Sequence, residues 1–140
     1  MICHFKRCLL VTASLLSLTP EVASAQRENC RISREVLTYK VTAERAYKIF
    51  LFSRKDKEKG KKPVVVFLHG WGLRDGAQAF FPHCIYLAKR GVIAATMEYR
   101  PDSTLASYPG CVANTALGLS FLEEKKDEIG IDPNKVVLAG

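Results

Sequence analysis

Histidine and cysteine, the side chains that most often hold zinc, are scarce in this sequence: it has three His and five Cys among 140 residues. Their spacing matches no zinc-binding pattern, so a zinc-stabilised domain is excluded. The sequence also lacks internal repeats and linker-like stretches, which leaves room for one domain at most. Hydrophobic residues make up 48% of the chain, enough for a packed core and too many for a disordered segment.

The excess of positive charge is confined to one short run. The formal net charge is +7, and residues 54–62 alone carry six basic and two acidic side chains. This run contains no aromatic residue, and the chain has no nucleic-acid-reading motif. We therefore expect a solvated turn between strands and no nucleic-acid partner.

The N-terminus has the pattern of a secretory signal peptide. Lys6 and Arg7 precede an apolar stretch, residues 8–18, that is too short to span a bilayer. Ala23-Ser24-Ala25 then forms a cleavage pattern with small residues. We predict a signal peptide over 1–25, cleavage after Ala25, and a mature domain over 26–140. The product is expected to be secreted or periplasmic, with no membrane anchor.

Cleavage would leave three cysteines, Cys30, Cys84 and Cys111. An exported protein meets an oxidising compartment, so one disulfide and one leftover thiol are allowed. Buried free thiols are the alternative, because free cysteine behaves as a small hydrophobic side chain.

The first part of the mature chain predicts an antiparallel hairpin followed by a buried strand. Residues 35–41 and 46–53 alternate between apolar and polar side chains around a short turn, 42–45. Residues 64–68 form a continuous apolar run rich in valine. Such a run is typical of a strand that is buried on both faces of a parallel sheet.

The second part predicts parallel strands joined by helices. A helix over 80–90 and a strand over 92–97 complete a βαβ unit, whose crossover should be right-handed. A second helix over 110–129 and a turn at 132–134 lead to a final strand from 136. The inner face of the second helix is predicted to consist of Val112, Ala116, Leu119 and Leu122.

The buried strand at 64–68 opens directly onto a glycine loop, His69-Gly70-Trp71-Gly72. Glycine lets a backbone turn sharply and approach another group closely. A loop of this kind, placed at the end of a buried strand, can present backbone N–H groups to a developing negative charge.

This loop resembles the oxyanion loop that follows the third strand of α/β-hydrolases. The segments 81–91, 98–100 and 130–134 are similar, in the same order, to bacterial acetyl esterase/lipase proteins, including the carbohydrate acetyl and feruloyl esterase-like branch. Residues 136–140 resemble the fifth strand and the first Gly of a Gly-x-Ser-x-Gly nucleophile elbow. The resemblance implies the N-terminal portion of an α/β-hydrolase fold, truncated at the elbow.

The resemblance also implies roles for individual residues. The backbone N–H groups of Trp71 and Gly72 are the expected oxyanion donors, with His69 and Gly70 supporting the loop. The triad Ser, Asp and His would lie beyond Gly140, so the 140-residue chain alone is expected to be inactive. Ser120 is rejected as nucleophile, because it lies mid-helix and lacks the second Gly of an elbow.

The implied activity is that of a serine ester hydrolase that needs no metal or cofactor. Its substrates would be short acyl esters, either small molecules or polysaccharides. Two alternatives stay open: a prolyl-oligopeptidase-type serine peptidase, and a non-catalytic binding protein on a degenerate hydrolase fold. Cys84 and Cys111 both lie in segments that resemble the family, which makes them the candidate disulfide.

Overall fold

The computed structural model describes residues 31–55, 60–70, 76–100 and 108–140. The predicted signal peptide, Cys30, and the expected donors Trp71 and Gly72 lie outside the described residues. In chain order, the described elements are β1 (Ile32–Val41), β2 (Ala46–Arg54), β3 (Lys62–Phe67), α1 (Gly76–Ala79), α2 (Phe81–Ala88), β4 (Ile93–Met97), α3 (Tyr108–Glu124), α4 (Lys126–Ile129) and β5 (Ile131–Ala139).

The five strands form one mixed sheet in the order β1–β2–β4–β3–β5. β1 and β2 form the predicted antiparallel hairpin, and β2 is also antiparallel to β4. β3 lies parallel to β4 on one side and to β5 on the other. The predicted α/β architecture, an opening hairpin followed by parallel strands with crossover helices, is confirmed.

The final strand begins earlier than the sequence predicts. β5 starts at Ile131, which pairs with Lys62, and the next pair is Val136 with Val64. The intervening residues of β5 bulge out, and there the Asn134 N–H donates to the Asp132 side chain at 3.0 Å. The expected turn is therefore present as an irregularity within the strand.

The second helix differs from the prediction in continuity and in its buried face. It is interrupted at Lys125, between α3 and α4, and α4 ends at Gly130 with φ +83°, a left-handed cap. The residues of α3 that are buried are Cys111, Asn114, Gly118 and Leu122. Of the four residues predicted to face inward, Val112 and Ala116 are instead exposed, Val112 to 52%, whereas Leu119 is half-buried and Leu122 is buried.

The two crossover helices pack on opposite faces of the sheet. Ala94 of β4 packs with α2, whereas Ala95 packs in the cluster that includes Leu122 of α3. Adjacent residues of a strand point to opposite faces. The chain moves one way along the sheet from β3 to β4 and the other way from β4 to β5, so two crossovers of the same hand require opposite faces.

This arrangement shows that the candidate disulfide is wrong. Cys84 lies on α2 and Cys111 on α3, so the sheet separates them, and both are buried free thiols. A disulfide requires Cα atoms within about 7 Å. Burial raises the pKa of the Cys84 thiol to about 12. The alternative of buried free thiols is the one that the structure supports.

Candidate active site

The carboxyl ends of β3 and β5 meet at one edge of the sheet. The Leu68 N–H donates to the Ala139 carbonyl at 2.8 Å. A Cβ placed on Gly140 would lie 2.4 Å from the Leu68 carbonyl oxygen, too close for any side chain without a backbone shift. The expected first glycine of the elbow therefore lies against the start of the predicted oxyanion loop.

At this edge of the sheet, the connections that leave β3 and β4 diverge. The chain leaves β3 toward the face that carries α2, whereas it leaves the neighbouring β4 toward the face that carries α3. In open α/β sheets, ligands bind beyond the carboxyl ends of strands where neighbouring connections diverge in this way. His69 and Gly70 lie at this point, two and three residues beyond the end of β3.

His69 is a buried side chain that is enclosed on several sides. Its exposure is 6%, and its ring lies 4.7 Å from the Tyr99 ring, centroid to centroid. A Cβ on Gly76 would lie 2.0 Å from His69 Nδ1, so the first residue of α1 makes room for the ring by having no side chain.

His69 Nδ1 lies 3.2 Å from the Gly70 carbonyl oxygen. A carbonyl only accepts, so this bond requires a hydrogen on Nδ1. Burial lowers the pKa of His69, which favours the neutral ring with its hydrogen on that nitrogen. A ring that donates to the backbone of its own loop can brace that loop; the supporting role of His69 and Gly70 itself stays a prediction.

Sequence reasoning missed a second layer of side chains behind His69. The Tyr99 hydroxyl donates to the His69 carbonyl. The Asn114 amide donates to the Tyr99 carbonyl at 3.0 Å and accepts from Lys40 Nζ at 2.8 Å. The sequence signal that could have identified Asn114 is an amide side chain within a largely apolar part of α3. It was missed because the predicted buried face of this helix did not include position 114.

The structure also shows where Ser120 lies, and it bears on metal-ligand clusters and membrane-spanning helices. Ser120 lies within α3, as its rejection as an elbow nucleophile assumed. Across the described ranges, no three His, Cys, Asp or Glu side chains come together as metal ligands would. None of the described helices is both long and apolar enough to cross a membrane.

Comparison with known proteins agrees with this geometry. Residues 51–140 match the BD-FAE family model. The chain belongs to the BD-FAE family. Its fold is also that of solved esterases: esterase 2 of Thermogutta terrifontis superposes with a TM-score of 0.67 at 30% identity, over 75% of this chain and 39% of that one. A bacterial heroin esterase superposes with a TM-score of 0.63 at 27% identity, over 76% of this chain and 34% of the other.

A curated sequence relative is also an esterase. A probable isoprenylcysteine alpha-carbonyl methylesterase of Arabidopsis thaliana is 36% identical over 84 residues, 58% of this chain. The resemblance to α/β-hydrolase esterases is confirmed for this BD-FAE member. The chain spans only 19% of that methylesterase, so the shared region is one part of a longer esterase architecture.

Proposed function

We propose that the whole protein is a serine carboxylic-ester hydrolase that acts on short acyl esters of carbohydrates. The observation that carries this proposal is the contact between Leu68 and Gly140, where the carboxyl ends of β3 and β5 meet. In that position, a loop of backbone donors and a nucleophile elbow would face the same reacting carbonyl. The fold alone would not carry the proposal, since one fold hosts many functions.

The proposed reaction is acyl transfer in two steps. A serine two residues beyond Gly140 attacks the ester carbonyl, its proton passes to a histidine base, and the alcohol leaves with a proton. Water then attacks the acyl-enzyme and releases the acid. In each step, negative charge develops on the carbonyl oxygen, and the N–H groups of Trp71 and Gly72 are the proposed donors to it.

The His69–Gly70 contact supports this role of the loop. A peptide group is planar and trans, so its N–H points away from its carbonyl oxygen. The proposed Trp71 donor belongs to the same peptide group as the Gly70 carbonyl, which His69 Nδ1 holds at 3.2 Å. A ring that fixes the carbonyl therefore also fixes the direction of the donor.

The relatives support short acyl groups and a covalent intermediate. Thermogutta terrifontis esterase 2 has been solved with propionate bound, with butyrate bound and phosphorylated by paraoxon. Organophosphates of this kind phosphorylate an activated nucleophile, which is the group that an acyl-enzyme mechanism needs. The carbohydrate alcohol is the part of the proposal that comes from the sequence resemblance.

The test uses the whole protein with chromogenic esters, a chromogenic anilide and an acetylated oligosaccharide whose released acetate is measured. We expect hydrolysis of p-nitrophenyl acetate and of an acetylated xylo-oligosaccharide, weaker hydrolysis of p-nitrophenyl octanoate, and no release from an aminoacyl p-nitroanilide. Paraoxon should inactivate the enzyme and add one diethylphosphoryl group to the serine two residues beyond Gly140. Preferential anilide cleavage would favour the peptidase alternative, and no turnover and no adduct would favour the non-catalytic one.

Two further parts of the proposal concern the export of the protein and the inactivity of its 26–140 segment. We propose export with cleavage after Ala25, which N-terminal sequencing of the exported protein tests: the first residue should be Gln26. A recombinant 26–140 segment should give no adduct with a fluorophosphonate, because no residue within it is proposed as the nucleophile.

A further inference from the structure

We infer that Tyr99 and Asn114 are positioning residues that hold the start of the oxyanion loop in its working geometry. This inference rests on the proposed function, and it adds residues that neither the loop nor the elbow contains. Both act through His69 and neither is required to touch substrate.

The first step is the bond from Tyr99 to His69. Tyr99 follows β4 by two residues, so its backbone is tied to the centre of the sheet. Its hydroxyl donates to the His69 carbonyl, while its ring lies against the His69 ring. Burial raises the pKa of the Tyr99 hydroxyl, so it keeps its proton and remains a donor at neutral pH.

The second step is the bond from Asn114 to Tyr99. Lys40 Nζ can only donate, so the Asn114 amide must place its oxygen toward Lys40 and its NH₂ toward the Tyr99 carbonyl. Asn114 is 3% exposed, and both ends of its amide are bonded. The amide thus ties β1 and α3 to the residue that holds His69.

Together, these contacts fix two successive peptide groups. Tyr99 holds the carbonyl of His69, and His69 Nδ1 holds the carbonyl of Gly70. If the Tyr99 hydroxyl is removed, the His69 carbonyl loses this hydrogen bond. The Gly70 carbonyl keeps its bond to the His69 ring, but that ring is then less well held. The N–H of the second peptide group is the proposed oxyanion donor.

The Asn114→Asp substitution distinguishes a positioning role of Asn114 from a purely structural one. The substitution keeps the shape and the acceptor for Lys40, and it replaces a hydrogen bond with an ion pair. It removes the donor to the Tyr99 carbonyl and places a carboxylate oxygen there instead. An anchor between β1 and α3 would survive this change, whereas a positioning role toward His69 would not.

The experiment compares Tyr99→Phe, Asn114→Asp and the control Thr115→Val in the whole protein. Thr115 also lies on α3, but among the described residues its hydroxyl bonds within the helix, to the Cys111 carbonyl at 2.9 Å. With p-nitrophenyl acetate, we expect kcat to fall about 3- to 10-fold in the first two variants, the rate equivalent of one hydrogen bond. KM should stay within about twofold, and the control should match the wild type.

Hydrogen exchange supplies a readout that is independent of turnover. The peptide over 68–76 should exchange faster in Tyr99→Phe and Asn114→Asp, while a peptide from β2 keeps its protection. Unchanged exchange at 68–76, or an equal loss of protection in β2, would overturn the inference. A wild-type protein with no esterase activity would overturn the proposed function instead, so the two failures can be told apart.

Discussion

Gly76→Ala should damage the candidate site through a single added methyl group. The new Cβ would lie 2.0 Å from His69 Nδ1 and 2.2 Å from Cγ, whereas ordinary contact begins at 3.4 Å. The ring must therefore move by at least about 1.4 Å, the difference between 3.4 and 2.0. Because the Tyr99 ring also lies against the His69 ring, we expect this movement to break the bond between His69 Nδ1 and the Gly70 carbonyl.

The expected cost follows from these contacts. Overpacking costs about 1–3 kcal/mol, and losing the His69–Gly70 hydrogen bond adds about 0.5–1.5 kcal/mol. Alanine returns about 0.5–1 kcal/mol through its better helix propensity. The net destabilisation should be about 0.5–4 kcal/mol, or a fall in Tm of about 1–16 °C for a domain of 150–250 residues.

The assay is thermal unfolding by circular dichroism together with kcat on p-nitrophenyl acetate. Gly118→Ala is the matched control, because it is also a helical glycine. Its Cβ would come nearest to the flexible Met97 side chain, at 3.0 Å from Sδ, and would meet the Tyr39 ring at an ordinary contact distance of 3.6 Å. The control should unfold within about 1 kcal/mol of the wild type. A Gly76→Ala protein that is as stable and as active as Gly118→Ala would refute the reasoning.

Three further predictions concern pH, thiols and the sheet edge. The pKa of His69 is lowered by burial from its ordinary 6.5, so its contribution to stability is present above about pH 6.5 and is lost as the pH falls below it. His69→Asn should flatten the dependence of Tm on pH in that window; a slope equal to that of the wild type would contradict this. Because Cys84 and Cys111 are free, a reductant should leave Tm unchanged, and both thiols should react with Ellman's reagent only after unfolding; a Tm that drops on reduction would reveal a disulfide. Val137, 53% exposed on the edge strand β5, should promote aggregation of a recombinant 26–140 segment, and Val137→Lys should reduce light scattering by that segment; unchanged scattering would argue against edge pairing.

Patterns that depend on neighbours in the sequence predicted the fold well. The valine run from Val64 predicted a strand of a parallel sheet buried on both faces. β3 does pair in parallel with both β4 and β5, but only the face of Val64 and Val66 is fully buried, whereas Val65 and Phe67 on the other face are half-buried. The alternation at 35–41 and 46–53 predicted the hairpin correctly. These features succeed because periodicity reports directly which faces of an element are buried.

Features that depend on tertiary placement could not be predicted from the same patterns. The pairing of Cys84 with Cys111 was wrong because the sequence does not say which face of the sheet each crossover helix covers. Asn114 was missed because the buried face of α3 is set by the sheet beneath it and not by apolar spacing alone. The requirement for glycine at position 76 could not be read from the sequence either, because it comes from the close approach of the His69 ring in the folded structure.

The most direct test of the account is whether the N–H of Trp71 acts on the reacting oxygen. Trp71→Pro removes that N–H, while Trp71→Ala removes the indole and keeps the donor. In the whole protein, with thermal unfolding measured for both variants, we predict that kcat of Trp71→Pro lies about 100- to 1000-fold below that of Trp71→Ala. Equal kcat values in two folded variants would contradict the claim that the loop after β3 stabilises the oxyanion.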